Sequence, residues 1–208
     1  MIKGVIFDMD GVLIDAREWH FEALNLALEP FGVAISKHQH LLRFDGLSTK
    51  QKLEILSSET QLPSALHDTI SRVKQDRTLR IAAERCFPVV AHQILLSRLL
   101  KSGFKIGLYT NSIRRTTEFM LTYANLAQYI QVITTNEDVV KPKPAPDGYI
   151  QTCAALGLHP GEVIVIEDGE YGITAAKSAG CRVIKVEGPT EVNLELFMNV
   201  GIEEFYEL

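Results

Sequence analysis

Cysteine is scarce in this chain. There are three in 208 residues, Cys86, Cys153 and Cys181, set far apart. An odd number without paired spacing excludes a disulfide framework and a cysteine-built zinc site. The expected state is that of ordinary thiols in a reducing cytosol. Positive charge is also short: 21 Lys and Arg face 26 Asp and Glu, for a net charge of -5. Non-specific nucleic-acid binding needs clustered positive charge to displace phosphate counterions, so nucleic acid is not an expected partner. A small anion remains admissible, because one pocket can be positive on an acidic protein. No charged-then-apolar segment opens the chain, and the most apolar run, 94–100, is short and carries Arg98. Neither secretion nor a membrane span is expected, and the reading is cytoplasmic. Internal repeats and low-complexity tracts are absent too.

What is present is a hydrophobic fraction of 46%, enough for one large domain or a core with a smaller insert. The first apolar run, Val5–Phe7, reads as a buried strand. After it the pattern turns helical. Asp15 with Glu18 predicts a capping box, ahead of an apolar face of Trp19, Ala23, Leu24, Ala27 and Leu28. Ser36 with Gln39 and Ser48 with Gln51 predict two more helix starts, and Ser64 opens a longer helix to about Ala83. Residues 15–85 therefore read as all helix. From Cys86 onward helices and strands alternate: helix 92–102, strand 104–109, helix 113–125, strand 129–134, a helix from Pro146 to Gly157, strand 162–166, a short helix ending at Gly180, and strand 181–186. The expectation is an α/β fold, a Rossmann-like parallel sheet of about five strands with helices on both faces. The core domain would be 1–14 and 86–208, and 15–85 an inserted all-α cap.

In open parallel sheets, ligands bind at the carboxyl ends of the strands. Polar residues gather there. Strand one runs into Asp8 and Asp10, whose spacing puts both carboxylates on one face. The next strand runs into Thr110-Asn111-Ser112. Lys141 to Asp147 follow the third, and Glu167-Asp168 the fourth. Carboxylates this close repel unless a cation joins them. Oxygen donors without His or Cys suit Mg²⁺, which takes one or two carboxylates, waters and a substrate phosphate oxygen. A carboxylate nucleophile, a metal, a hydroxyl and a lysine together make a phosphoryl-transfer kit.

Asp8-Met9-Asp10-Gly11-Val12, Thr110-Asn111, Lys143-Pro144 and Glu167-Asp168 resemble, in order and spacing, the four motifs of the haloacid dehalogenase superfamily. The resemblance covers nearly the whole chain, and 15–85 resembles that superfamily's helical cap. "LIDAREWHF" and "DGLSTKQKL" are most similar to the branch of β-phosphoglucomutase and the small phosphatases of sugar phosphates and phosphoglycolate. The resemblance implies that Asp8 attacks phosphorus and forms an aspartyl-phosphate, and that Asp10 protonates the leaving oxygen and then activates water. It further implies that Asp8, the Asp10 backbone carbonyl and Asp168 hold Mg²⁺, with Glu167 beside them directly or through a water. Thr110 and Lys143 would neutralise the phosphoryl oxygens. Lys143, preceding Pro-x-Pro-Asp, fits the motif better than Lys141. Asn111, His20, Gly46 and Ser48 are candidate substrate contacts, and Arg114 a candidate for a distal anion. The run Arg72, Lys74, Arg77, Arg80, Arg85 reads as a solvated helix face.

Two departures bear on the activity. Gly169 stands where a serine often follows the motif aspartate. Asp45 and Thr49 flank Gly46 and Ser48, where β-phosphoglucomutase has basic residues gripping a distal phosphate. The expected activity is a Mg²⁺-dependent phosphatase of a small phosphorylated metabolite, a sugar phosphate or similar. A phosphomutase, signalled by His20, is the alternative. A dehalogenase would leave Asp10 and Glu167-Asp168 without a purpose, and a non-catalytic module would not be expected to retain all four motifs.

Overall fold

The computed structural model describes residues 1–44 and 46–199; Asp45 and residues 200–208 lie outside the described residues. Five strands form one parallel sheet, ordered β3-β2-β1-β4-β5. They are β1 (Gly4–Phe7), β2 (Lys105–Tyr109), β3 (Val132–Thr134), β4 (Val163–Glu167) and β5 (Arg182–Lys185). β1 and β4 are buried along their whole length, which is why they read as unbroken apolar runs rather than alternating ones. β1 takes the centre, with Val5 opposite Ile106 on one side and Ile164 on the other.

Between β1 and β2 the described chain is helical: α1 (Arg17–Leu28), the short α2 (Lys37–Gln39) with a π-turn at His40–Phe44, α3 (Thr49–Glu59) and α4 (His67–Arg85). These helices enclose an apolar cluster of their own around Leu24, Leu28, Phe44, Leu53 and Ile70. The sheet is flanked by α5 (Val90–Lys101), α6 (Arg114–Tyr123), α7 (Asp147–Leu156), α8 (Glu170–Ala179) and α9 (Leu194–Asn199). One face packs in the cluster of Val5, Phe7, Leu95 and Leu99, and the other in that of Ile6, Tyr109, Tyr149 and Val165.

Local capping explains where expectation and structure part. The boxes at Ser36–Gln39 and Ser48–Gln51 both form. That at Asp15 does not: α1 starts at Arg17 after Ala16, with no side-chain cap, and Glu18 instead pairs with Lys37 at 2.8 Å. Ser64 opens a 3₁₀ turn, and α4 begins at His67 and runs on to Arg85. Along α4 the arginines 72, 77, 80 and 85 are exposed as expected. Lys74 is a correction: it shares the inward phase of Ile70, Thr78 and Ile81, and is buried. The three cysteines are free and buried. No helix among the described residues is long and apolar enough to cross a membrane.

Candidate active site

The ladder itself aims the first acid. β1 ends at Phe7, and the Asp8 N–H continues the pairing by donating to the Ile166 carbonyl at 3.0 Å. The chain then coils through one tight turn. The Met9 carbonyl accepts from the N–H groups of Leu13 (3.0 Å) and Ile14 (2.9 Å), so Asp10 comes back over the strand end. Gly11 holds φ +92°, and a Cβ there would meet Asp168 Oδ2 at 2.0 Å; only glycine lets the turn lie against that carboxylate.

Asp8, Asp10, Thr110, Lys143, Glu167 and Asp168 line one cavity of about 580 Å³ between the sheet edge and the helices of 17–85. That volume suits a small-molecule site. Lys143 is buried at its floor, and its Nζ donates to Asp8 Oδ1 and Glu167 Oε1 at 2.5 Å each. The ammonium also lies 4.9 Å from the Tyr109 ring centre and 5.2 Å from that of Tyr149, two rings packed edge to face. Burial opposes the charge on Lys143, but Asp8 and Glu167 outweigh it and hold the ammonium well above the usual lysine range. Tyr149 donates its hydroxyl to Glu167 Oε1 at 2.9 Å, and Glu167 Oε2 accepts from the N–H groups of Asp168 (3.0 Å) and Gly169 (3.1 Å). Glu167 is thus locked from four sides.

Asp8, Glu167 and Asp168 each present a carboxylate oxygen within 4.8 Å of the others. Burial first, and then the neighbouring Glu167, Asp168 and Asp10, push the Asp8 carboxyl well above the usual range, against the pull of Lys143. An all-oxygen donor set whose own repulsion disfavours ionisation is what a hard divalent cation relieves, so the residues fit a metal of the Mg²⁺ type. Arg17, 3.3 Å from Asp168 Oδ2, supplies part of the compensating charge and ties α1 to this edge. The Asp10 carboxylate stands outside the acid cluster. Its Oδ2 accepts from the Ser112 hydroxyl at 2.7 Å and lies 3.1 Å from His20 Nε2, while its Oδ1 is buried without a hydrogen-bond partner. Burial alone would raise Asp10; His20 and the Ser112 hydroxyl more than offset it and place the carboxyl below the usual value. His20 in turn is held below its ordinary pKa by burial and lies 2.9 Å from Lys74 Nζ through Nδ1. These contacts set the tautomer: Nδ1 accepts from Lys74 and Nε2–H donates to Asp10.

The other expected contacts divide. Thr110 is buried and its hydroxyl accepts from the Ser112 N–H at 3.1 Å. Asn111 bridges the two halves, donating to the Gly46 carbonyl at 2.8 Å and accepting from the Lys143 N–H at 3.2 Å. Gly46 lines the cavity. Ser48 does not; its hydroxyl is spent on the α3 cap with Gln51. Arg114 turns away as well, held by Asp138 at 2.6 Å and Glu118 at 3.5 Å. Lys141 is exposed, and Lys143 takes the motif position. Arg17, Lys52 and Tyr149 were not singled out from sequence, and Ser112 was named there only as one of the strand-end polar residues, without a role. Lys52 at least carried a signal, since it sits on the inward phase of α3 beside Leu53 and Leu56.

Residues 5–186 match the family of haloacid dehalogenase-like hydrolases. The chain belongs to that family. It is 30% identical over 179 residues to a phosphorylated carbohydrates phosphatase of Thermotoga maritima, covering 86% of this chain and 82% of the relative. It is also 30% identical over 193 residues to a β-phosphoglucomutase of Bacillus subtilis, covering 89% and 83%. Among solved structures, a β-phosphoglucomutase from Clostridium difficile superposes with a TM-score of 0.82 at 21% identity, over 100% of this chain and 98% of that one, which shows the shared family fold with its cap.

Proposed function

We propose that this haloacid dehalogenase-like hydrolase is a Mg²⁺-dependent phosphatase of a small phosphorylated metabolite, a sugar phosphate or similar, with 15–85 acting as a cap over a core of 1–14 and 86–208. The observation that carries the reading is the pairing of two differently kept carboxylates in one cavity: Asp8 on Lys143 among acids, and Asp10 on Ser112 and His20 with one oxygen unpartnered. Asp8 attacks phosphorus to give an aspartyl-phosphate. The incoming phosphate charge opposes the depression of Asp10, so its Oδ1 takes up a proton from solvent, gives it to the departing alkoxide, and in the second half accepts one from the attacking water. His20 and Ser112 keep that carboxylate aimed during both steps. Lys143 and the Thr110 hydroxyl face the charge that develops on the phosphoryl oxygens, and Glu167 keeps the lysine in place. Asp8, Asp168 and the Asp10 carbonyl, with Glu167 beside them, would hold Mg²⁺, which supplies charge neutralisation at the phosphoryl group.

The test is phosphate release from a panel of small phosphomonoesters with Mg²⁺ or EDTA, for wild type and Asp8→Asn. Release that requires Mg²⁺ and vanishes in the variant supports the reading; release unaffected by Asp8→Asn overturns it. A phosphomutase has the relative from Bacillus subtilis and the His20–Asp10 contact in its favour. It calls for interconversion of hexose phosphates without net phosphate release.

A further inference from the structure

Two of the three thiols meet in the core. Cys153 lies on α7 and Cys181 at the turn from α8 into β5, 28 positions apart in sequence, and their Sγ atoms stand 3.9 Å from each other. Both are buried, at 0% and 8% exposure, in the apolar cluster that also holds Tyr149 and Val165. The backbones that carry them are pinned in the same way. The Cys153 carbonyl accepts from the Leu158 N–H at 3.0 Å as α7 closes on Gly157. The Cys181 N–H donates to the Ala176 carbonyl at 3.0 Å as α8 closes on Gly180. Each is the closure with which a helix ends on a left-handed residue, so two fixed helix ends hold the sulphurs in contact. A disulfide bond is about 2 Å long, and rotations of about 30° at the two χ1 angles can share the closing of the 3.9 Å gap. The Cys181 thiol beside it holds Cys153 below the ordinary thiol value, so Cys153 is the readier thiolate of the pair. Cys86 is the contrast. It is buried apart from the other two, its Sγ donates to the Met120 carbonyl at 3.5 Å, and burial pushes its thiol up to about 11.

We propose that Cys153 and Cys181 form a reversible cross-linking site, which peroxide oxidises to an intramolecular disulfide that staples α7 to the turn between α8 and β5. Peroxide oxidises one thiol to a sulfenic acid; its O–O bond breaks and one water leaves. The partner thiolate attacks that sulphur, the S–S bond forms, and the sulfenic oxygen leaves as a second water. Two thiols and one peroxide give one disulfide and two waters, with two electrons passing from sulphur to peroxide. The segment so closed contains β4, Glu167, Asp168 and α8, and Cys153 sits one turn beyond Tyr149, the donor to Glu167. Neither cysteine lines the active-site cavity, so the staple braces the acid end of the site from behind.

The experiment treats the reduced native chain with hydrogen peroxide. Separately, it refolds the chain from urea in mixtures of oxidised and reduced glutathione, where burial of the thiols does not limit the reaction. Remaining thiols are alkylated, and the protein is weighed and digested. The expected product is a monomer about 2 Da lighter, with Cys86 alone alkylated and one peptide pair joined through Cys153 and Cys181; dithiothreitol reverses it. Its melting temperature should rise by about 5 °C or more over the reduced form, because the bond restrains the unfolded chain. Cys86→Ala should behave as wild type, whereas Cys153→Ala and Cys181→Ala should not yield the lighter species. The wild-type peptide map needs no variant, so a poorly folded one does not spare the idea. Three alkylated thiols after both treatments overturn the site. So do sulfinic or glutathione adducts in place of the cross-link, a bond through Cys86 or between two chains, or a melting temperature that the bond lowers.

Discussion

Gly172→Ala should inactivate the enzyme without removing any polar group from its cavity. The residue is the third of α8, packed directly behind Glu167. A Cβ built on it lies 1.5 Å from Glu167 Oε1 and 2.0 Å from Glu167 Cδ. Both backbones are fixed, one by the ladder and one by the helix, so the carboxylate must leave. Its departure breaks the bonds from Lys143, Tyr149, Asp168 and Gly169 together. Overpacking of this kind costs ~1–3 kcal/mol, and the buried ammonium that loses one of two partners adds a comparable amount. The fold should survive with a lower melting temperature, while kcat falls by ~10²–10³, the usual consequence of displacing one electrostatic donor from the reacting charge. Gly169→Ala is the matched control. Its Cβ meets only Glu167 Oε2, at 3.9 Å, and it should lose little of either stability or rate. Phosphate release and thermal melts read both variants. A Gly172→Ala enzyme with near-wild-type kcat would refute the idea that Glu167 holds Lys143 for catalysis.

Other outcomes follow from the same contacts. Tyr149→Phe removes one hydroxyl donor from Glu167 and keeps the ring beside Lys143, so it should cost about 1 kcal/mol in urea unfolding and slow kcat only several-fold. Lys143→Met leaves Asp8 and Glu167 buried without their cation; activity should be lost and stability reduced by ~3–5 kcal/mol near neutral pH, both read on one sample. Lys74 makes stability depend on pH. Its folded pKa is about 7 against 10.5 for the free side chain, so the unfolded chain binds more protons between those values and stability rises with pH across that window. The difference between wild type and Lys74→Met should move in favour of wild type by on the order of 3 kcal/mol from pH 7 to pH 10. A flat difference in paired denaturant titrations would show that Lys74 is not desolvated.

The sheet, its strand-end acids and the motif lysine were legible because each rests on a local pattern: an apolar run, a proline or glycine stop, a polar residue just beyond. Ser36 and Ser48 cap as their spacing implies, whereas Asp15 does not, because α1 starts one residue later and its N-cap position falls on Ala16. The place of Asp10 beside Asp8 at the strand end was legible, but its support was not. Ser112 and His20 reach it across 102 residues in one case and from the first turns of α1 in the other, and neither distance leaves a trace in spacing. Lys74 was misplaced because a run of basic residues suggests a solvated face, while helical phase puts one of them in line with Ile70 and Thr78. A lysine on an apolar stripe was the signal to follow, and Lys52 repeats it on α3.

The central place of β1 has a consequence for the newborn chain. β1, the strand that runs into Asp8, is made well before its partner β4, which begins at Val163. Through most of synthesis the helices that follow β1 can close on their own apolar cluster, because their contacts are short in sequence. The strand itself waits, apolar on both faces, until the ladder from Gly4–Val163 to Phe7–Ile166 can be laid down. A slip of one residue in that ladder would carry Glu167 and Asp168 to the wrong face. Recovery of activity on refolding is therefore a clock for the last registration of the sheet, and should lag the recovery of helical signal.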